Sequence, residues 1–446
     1  MTSTSPLRVA LAGLGTVGAG VIKLLDVNGE LIARRAGRPI EIVAVSARDR
    51  AKDRGVDIER FDWVDDTAAL AHRDDADVVV ELIGGSDGPA LTLARATLAG
   101  GKGLVTANKA MMAHHGLELA EAAEAANAPL KFEAAVAGGV PVIKGLREGA
   151  AANEISRVYG ILNGTCNFIL TKMEAEGRDF ADVLAEAQAL GFAEADPSFD
   201  IDGVDASHKL SILASLAFGT RPAFADVATG GIRHVLAADI AEAATLGYRI
   251  RLVGIAEAAT LGYRIRLVGI AEAGSKGLFQ RVHAHLVPLS HPLAHVSGAL
   301  NAVVAEGNFV GRLLFQGAGA GDGPTASAVV ADLIDIARDE FGPPYAMPAA
   351  QLTALPAADS GERRGRAYLR FMVADRVGVL AEIAAAMRDA GVSIESLMQR
   401  GVSADGSVLV AIVTHEGPER AVAQALEKLR GSQSLAGEPL WMHILG

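Results

Sequence analysis

The chain has 446 residues, about three times the ~150-residue size of a common domain, so two or three domains are expected. Hydrophobic residues make up 50% and charged residues 21%, which excludes a largely disordered chain. The 53 acidic against 41 basic residues give a net charge of −12, and no basic run interleaves with aromatics as a nucleic-acid surface requires. The single cysteine, Cys166, cannot close an intrachain disulfide, which favours a cytoplasmic compartment, and no run of 18 apolar residues suggests a membrane span.

Between residues 7 and 132, short β-branched runs at 9–12, 41–46, 78–83, 103–106 and 130–133 alternate with Ala/Leu-rich helical patterns. Continuous apolar runs joined by helical crossovers predict a doubly wound parallel sheet. Gly13-Leu14-Gly15-Thr16-Val17-Gly18 follows the first run and opens a helix expected at 19–25. A glycine turn in that place suits a dinucleotide pyrophosphate on the helix N-terminus, although such a turn can also be merely structural. The second strand ends Ser46-Ala47-Arg48, without the carboxylate that binds the ribose of NAD, so Arg48 points to NADP over NAD unless it is a solvated loop charge. Thr106-Ala107-Asn108-Lys109 closes a later strand on the ligand side of the sheet, where Lys109 can meet a phosphate, a carboxylate or a reacting carbonyl, or lie on the surface.

Beyond Gly138-Gly139 the pattern turns mixed, with a strand expected at 157–162, helices at 168–176 and 180–190, and a strand at 279–289. In GFAEADPSFDIDGVDASHKL (191–210), Asp205 and Lys209 stand four apart at a helix start, so a carboxylate can hold an ammonium in place. A lysine so held can act as a general acid toward an oxygen gaining charge, whereas a solvated charge cluster is the bland reading; EF-hand spacing is not matched. The string IAEAATLGYRIRLVGIAEA at 240–258 recurs unchanged at 255–273, a tandem duplication of 15-residue period and too short for a solenoid. Each copy joins a helix-like IAEAATL to a strand-like YRIRLVG. Prolines at 343, 344, 348 and 356 and the polar run 359–364 mark a linker. A compact β-α-β-β-α-β pattern follows, with strands at 367–374, 392–400, 408–414 and 440–444 and helices at 380–390 and 418–428.

These residues resemble the homoserine dehydrogenases of the long form that carry a C-terminal ACT domain. The likeness rests on GLGTVG, TANKA (106–110), FEAAVAGGVPVI (132–143), LNGTCNF (162–168), the 191–210 string, HPLAHVSGALNAV (291–303) and GAGAGDGPTASAVVADL (317–333). It implies an α/β protein of three parts. They are a Rossmann-like dinucleotide-binding domain (1–150, completed by about 317–342), an α+β substrate and dimerisation domain (151–316) and, after a linker (343–365), a ferredoxin-like ACT domain (366–446). The implied activity is NAD(P)H-dependent reduction of L-aspartate 4-semialdehyde to L-homoserine, a step toward threonine and methionine.

By position, the resemblance makes Lys209 the proton donor, Asp205 its orienting partner, and Glu194 with Asp200 the holders of the substrate ammonium. Lys109 would lie between nicotinamide and substrate, and Gly321 over the cofactor. A sodium-like cation would sit on the main-chain carbonyls of Glu133, Val136, Gly138 and Val140. The ACT turn Asp375-Arg376-Val377-Gly378-Val379-Leu380 would receive an amino-acid effector, with threonine favoured, through Asp375 and the chain at Gly378, Val379 and Leu380; a docking module without ligand is the alternative. A homodimer or homotetramer is implied. The chain departs from the family at its duplication, and residues 248–262 are expected to be surplus. Two other classes stand against this reading. An aspartate-semialdehyde dehydrogenase would need Cys166 as its thioester nucleophile, and a non-enzymatic sensor would not need the Glu194, Asp200, Asp205 and Lys209 constellation.

Overall fold

The computed structural model describes residues 5–245, 262–402 and 407–446. The strands β1 (Leu7–Ala12), β2 (Ile40–Ser46), β3 (Asp62–Trp63), β4 (Val78–Glu81), β5 (Gly103–Thr106) and β6 (Leu130–Lys131) form a parallel sheet in the order β3-β2-β1-β4-β5-β6. The helices α1 (Thr16–Ala36), α2 (Pro89–Ala99) and α3 (Lys109–Ala125) are its crossovers. Strands β4 and β5 are buried along their whole length and β1 everywhere but at Arg8, which is why they read as apolar runs. Two strand ends fall short of expectation for a polar reason. β4 stops at Glu81 because its buried carboxylate accepts the N–H groups of Ile83 and Gly84 and the Thr106 hydroxyl. β6 stops at Lys131, and Glu133 enters a 3₁₀ turn with its N–H on Asp332 Oδ2 at 2.9 Å. Helix α1 starts at Thr16 rather than 19 and runs far past 25, so Gly18 and Gly20 are helical. A Cβ at Gly18 would stand 2.1 Å from the Gly13 carbonyl oxygen, and one at Gly20 2.7 Å from that of Asp322.

The short helix α4 (Val142–Lys144) leads into β7 (Ile155–Ile161), α5 (Gly164–Glu176), α6 (Phe180–Ala189), α7 (Ser198–Ile201), α8 (Val204–Phe218), the short β8 (Ala228–Thr229) and α9 (Ala237–Thr245). Then come β9 (Tyr263–Gly274), β10 (Gly277–Pro288), β11 (Leu300–Gly307), β12 (Gly311–Ala318) and α10 (Asp322–Ala337), which returns to pack on α1. The last part holds β13 (Arg364–Ala374), α11 (Val379–Asp389), β14 (Ile394–Val402), β15 (Ser407–Thr414), β16 (Gly417–Pro418), α12 (Glu419–Leu429) and β17 (Leu440–Ile444). Its strand order β17-β13-β15-β14 is ferredoxin-like. The first strand begins at Arg364, two residues inside the expected linker, because Arg364 and Gly365 pair with β16.

The last unit's sheet does not stand alone. β17 lies parallel to β10, with His285 opposite His443 and Leu286 opposite Ile444, so one sheet runs β12-β11-β7-β9-β10-β17-β13-β15-β14. Polar groups close this seam. Arg281 and Glu419, both nearly fully buried, form a bidentate pair at 2.9 and 2.6 Å, and Arg370 reaches buried Asp239 at 3.0 Å.

The first copy of the duplicated string supplies helix α9, and the second supplies strand β9, in register with β10 from Tyr263 to Gly274. The segment expected to be surplus, 248–262, lies outside the described residues except for Gly262.

Candidate active site

Several chain segments converge on one cavity of about 720 Å³ between the two sheets. Val17, Ala107 and Lys109 come from the parallel sheet's ligand edge, Asn163 to Thr165 from the junction of β7 and α5, lining residues between 191 and 209 from the loop after α6, α7 and the first turns of α8, and Gly319 to Gly321 from the turn before α10.

Helix α8 is buried on almost every side, from Asp205 through Leu216. A buried helix cannot leave its polar groups unpaired. Asp205 meets that condition with both oxygens: Oδ1 takes Lys109 Nζ at 2.9 Å, and Oδ2 takes Lys209 Nζ at 2.7 Å and Asn163 Nδ2 at 2.9 Å. The two ammonium groups, with the Asn163 donor, hold its carboxyl far below the usual carboxylate range against the opposing effect of burial. Burial works against the charge on Lys109 too. Asp205, with Asp200 and Glu194 farther off, more than offsets it, so Lys109 titrates above an ordinary lysine. Lys209 Nζ also donates to the Leu162 carbonyl at 2.8 Å. An ammonium has three donors, so two are spent in holding Lys209 and one remains for the cavity it lines.

Asp200 faces the same space from α7, with Oδ1 on Asn163 Nδ2 at 2.8 Å and Oδ2 on the Thr165 hydroxyl at 3.0 Å. Glu194 lies exposed at the rim. Behind α8, His208 stacks on Phe224 with its Nε2 3.3 Å from that of His114, and burial pushes its pKa down to about 4.

The glycine turn fits a dinucleotide. Gly13 has φ +102° and room for no Cβ, which would lie 2.6 Å from the Leu82 carbonyl oxygen, while the space over Gly15 is open. No side chain caps α1 and no acidic residue stands in its first turn, so its N–H groups remain available to an anion. Arg48 is exposed, two residues past Ser46, whose carbonyl accepts the Gly13 N–H at 2.8 Å. Arg54, which the sequence reading missed, donates to the Leu14 carbonyl at 2.9 Å; no motif marks it, because its contact is made by a loop folding back. Thr106 does not face the cavity: its buried hydroxyl binds Glu81 at 2.6 Å and accepts from the Asn108 N–H at 3.0 Å, and Ala107 forms the wall there.

The loop 132–140 is buried except at Gly139, and no hydrogen bond among the described residues reaches the carbonyls of Val136 or Gly138. Free main-chain oxygens in a buried loop suit a monovalent cation. The Glu133 carboxylate is engaged elsewhere, on the N–H groups of Ile143 and Lys144. Among the described residues no cluster of three or more His, Cys, Asp or Glu is placed to hold a metal ion, and no helix is long and apolar enough to cross a membrane. In the last unit, residues 373–381 with Gln399 and Val410 line a second cavity of about 290 Å³. Gly378, at φ +98°, caps α11 there without a side-chain bond, and Asp375 is exposed beside it.

Residues 141–334 match the family model described as homoserine dehydrogenase, residues 13–133 that of the homoserine dehydrogenase NAD binding domain, and residues 367–431 the ACT domain. The homoserine dehydrogenase of Neisseria gonorrhoeae is 44% identical over 427 residues, covering 94% of each chain. That of Corynebacterium glutamicum is 44% identical over 427 residues, covering 96% of this chain and 93% of the relative. This chain belongs to the homoserine dehydrogenase family. The crystal structure of a homoserine dehydrogenase from Thiobacillus denitrificans superposes with a TM-score of 0.90 at 40% identity over 99% of this chain and 98% of that one. A hyperthermophilic archaeal homoserine dehydrogenase in complex with NADPH gives 0.61 at 26% identity, covering 76% of this chain and all of that one.

As a homoserine dehydrogenase the chain is an NAD(P)-dependent oxidoreductase acting on a CH–OH group. The thioester alternative is excluded on its own chemistry. Cys166 is fully buried, its Sγ donates to the Asp200 carbonyl at 3.3 Å, and burial pushes the thiol well above its usual range, away from the thiolate a nucleophile needs. The sensor alternative, which had no use for the four-residue constellation, is set aside by the family assignment.

Proposed function

We propose that the cavity reduces the aldehyde of L-aspartate 4-semialdehyde with Lys209 as proton donor. The observation that carries this is the double hold on Lys209, by Asp205 Oδ2 and the Leu162 carbonyl, which leaves one N–H for the cavity. Gly13, Leu14, Gly15, Thr16, Val17 and Gly18 would hold a nicotinamide dinucleotide, which when bound would supply the hydride for the aldehyde carbon. Lys209 gives its proton to the carbonyl oxygen as that oxygen gains charge, and Asp205 keeps the ammonium aimed. Glu194 and Asp200 take the substrate ammonium, and Lys109, bound to Asp205 across the cavity, stands between the two halves of the site. Gly321 and Ala107, the neighbour of Thr106, border the cofactor. The test is steady-state oxidation of homoserine with NADP by the parent and by Lys209→Ala. Turnover should fall by ~10² to 10⁴ with cofactor binding nearly intact, and parental turnover would remove Lys209 from this role.

The finer features follow the same reading. Arg48, with no carboxylate at the end of β2, favours NADP, and NAD remains usable. The carbonyls of Glu133, Val136, Gly138 and Val140 hold a sodium-like cation that fixes the loop leading to α4. The open edge of β12, with Leu314 exposed on the strand and Phe309 exposed in the turn before it, serves assembly into a homodimer or homotetramer. The enzyme works in the cytoplasm, with no nucleic-acid or membrane partner. The α11 N-terminus takes the carboxylate and Asp375 the ammonium of an amino acid, threonine by the logic of an end product, with Gly378, Val379 and Leu380 forming the turn. A threonine-bound ACT unit shifts the population toward a low-activity state. Inhibition of the full chain by millimolar threonine, lost in Gly378→Asp, is the measurement that checks it.

A further inference from the structure

We propose that Asn163 is a positioning residue that sets the spacing of Asp200 and Asp205 and, through Asp205, the aim of Lys209. The proposal rests on the reading of Lys209 and Asp205 given above. Asn163 is 3% exposed and sits at the N-cap of α5, with φ −128° and ψ 117°. Its Oδ1 accepts the Cys166 N–H at 2.8 Å. That bond decides the amide's orientation, because the NH₂ group must then face the other way, and there it meets two carboxylates. One N–H goes to Asp200 Oδ1 at 2.8 Å and the other to Asp205 Oδ2 at 2.9 Å. A planar amide has two donors at a fixed angle, so the two bonds together fix the separation of two like charges that would otherwise move apart. The helix cap locks the rotamer that does this.

The preceding residue reinforces the arrangement. The Leu162 carbonyl accepts both Lys209 Nζ at 2.8 Å and Asn301 Nδ2 at 3.1 Å, so two consecutive residues at the end of β7 grip the lysine, one directly and one through Asp205. Asn163 neither gains nor loses a proton. Its contribution is geometric, and a 1 Å misplacement of a reacting group can cost ~10²-fold.

Capping and positioning can be separated, because serine and aspartate are as good N-caps as asparagine and neither offers the two donors. Asn163→Ser and Asn163→Asp should melt within a few degrees of the parent, keep the KM for NADP within about twofold and lose about 10- to 100-fold in kcat for homoserine oxidation, with the aspartate worse because it adds a third carboxylate. Parental kcat in Asn163→Ser overturns the proposal. So does a kcat loss in Asn163→Ser that tracks a lost Tm and is restored in Asn163→Asp, since Asn163 is then a helix cap and nothing more. Lys209→Ala measured alongside separates the two levels. If it retains turnover, the reading of the site fails; if it loses turnover while Asn163→Ser does not, only the role of Asn163 fails.

Discussion

Asp205→Asn is the perturbation whose outcome the structure constrains most tightly. The native carboxylate uses Oδ1 for Lys109 and Oδ2 for Lys209 and Asn163. An amide has only one acceptor oxygen, and its NH₂ repels whichever donor it faces. The oxygen settles where two donors already converge, so Lys209 and Asn163 keep a partner and Lys109 loses its own. The Lys109 side chain is 35% exposed and can turn to water, which limits that loss to about 1 kcal/mol. The Lys209 side chain is 11% exposed, and exchanging its counter-ion for a dipole costs about 1–2 kcal/mol more. If the whole 2–3 kcal/mol is felt in the transition state, kcat falls about 30- to 150-fold, less than the upper range expected for Lys209→Ala. The acid limb of stability changes as well. Asp205 titrates far below the ~3.9 of an unfolded aspartate, so between those values the unfolded chain binds the extra proton. Its contribution is present above ~4 and lost as the pH falls through the folded value, so the stability gap between parent and variant should narrow with acid. Single-turnover kinetics and urea unfolding from pH 7 to 3 check both. An Asp205→Asn enzyme within threefold of parental kcat would refute the argument.

Arg48→Asp should move the NADP-to-NAD ratio of kcat/KM toward NAD, and an unchanged ratio would remove Arg48 from the 2′-phosphate. Seventeen residues separate the end of α9 from the start of β9, and excising 15 of them restores one copy of the repeat without changing either element's sequence. The shorter connection should raise stability by up to about 2 kcal/mol in loop-closure entropy, visible as a higher Tm; a lower Tm would contradict the placement of helix from one copy and strand from the other. Glu419→Gln leaves buried Arg281 without its counter-ion and should destabilise the seam between β10 and the last unit by about 3–5 kcal/mol, read by urea unfolding with probes on both sides; a loss under ~1 kcal/mol would show the pair to be dispensable.

Much of this was legible in the residues. The parallel strands showed because burial on both faces makes their apolar runs continuous, and Asp205 with Lys209 showed because a four-residue spacing places them on one helix face. What did not show were contacts made across the fold. Asn163 was visible only inside the string LNGTCNF, and its cap signal gives no hint that its other end bridges carboxylates 37 and 42 residues away. Arg54 reaches the glycine turn by a loop, and Glu81 ends β4 through a buried carboxylate that reads as one more strand residue. The pairing of β17 with β10 rests on two registered residues and a handful of buried charges, which no local pattern encodes.

The burial of α8 explains why the site is built as it is. A proton donor on a flexible, solvated lysine spends its time among many rotamers, and water competes for the proton. Seating Lys209 on a helix covered on all sides removes that freedom, but it places an ammonium where charge is costly, so a carboxylate must come with it. Asp205, one turn earlier on the same helix, is the nearest position that can supply one. Its second oxygen then faces the cavity edge, where Lys109 from the nucleotide-binding sheet completes the pairing. One buried carboxylate thus joins Lys209 of α8 to Lys109 at the start of α3, and packing these two helices against each other assembles the group proposed as proton donor.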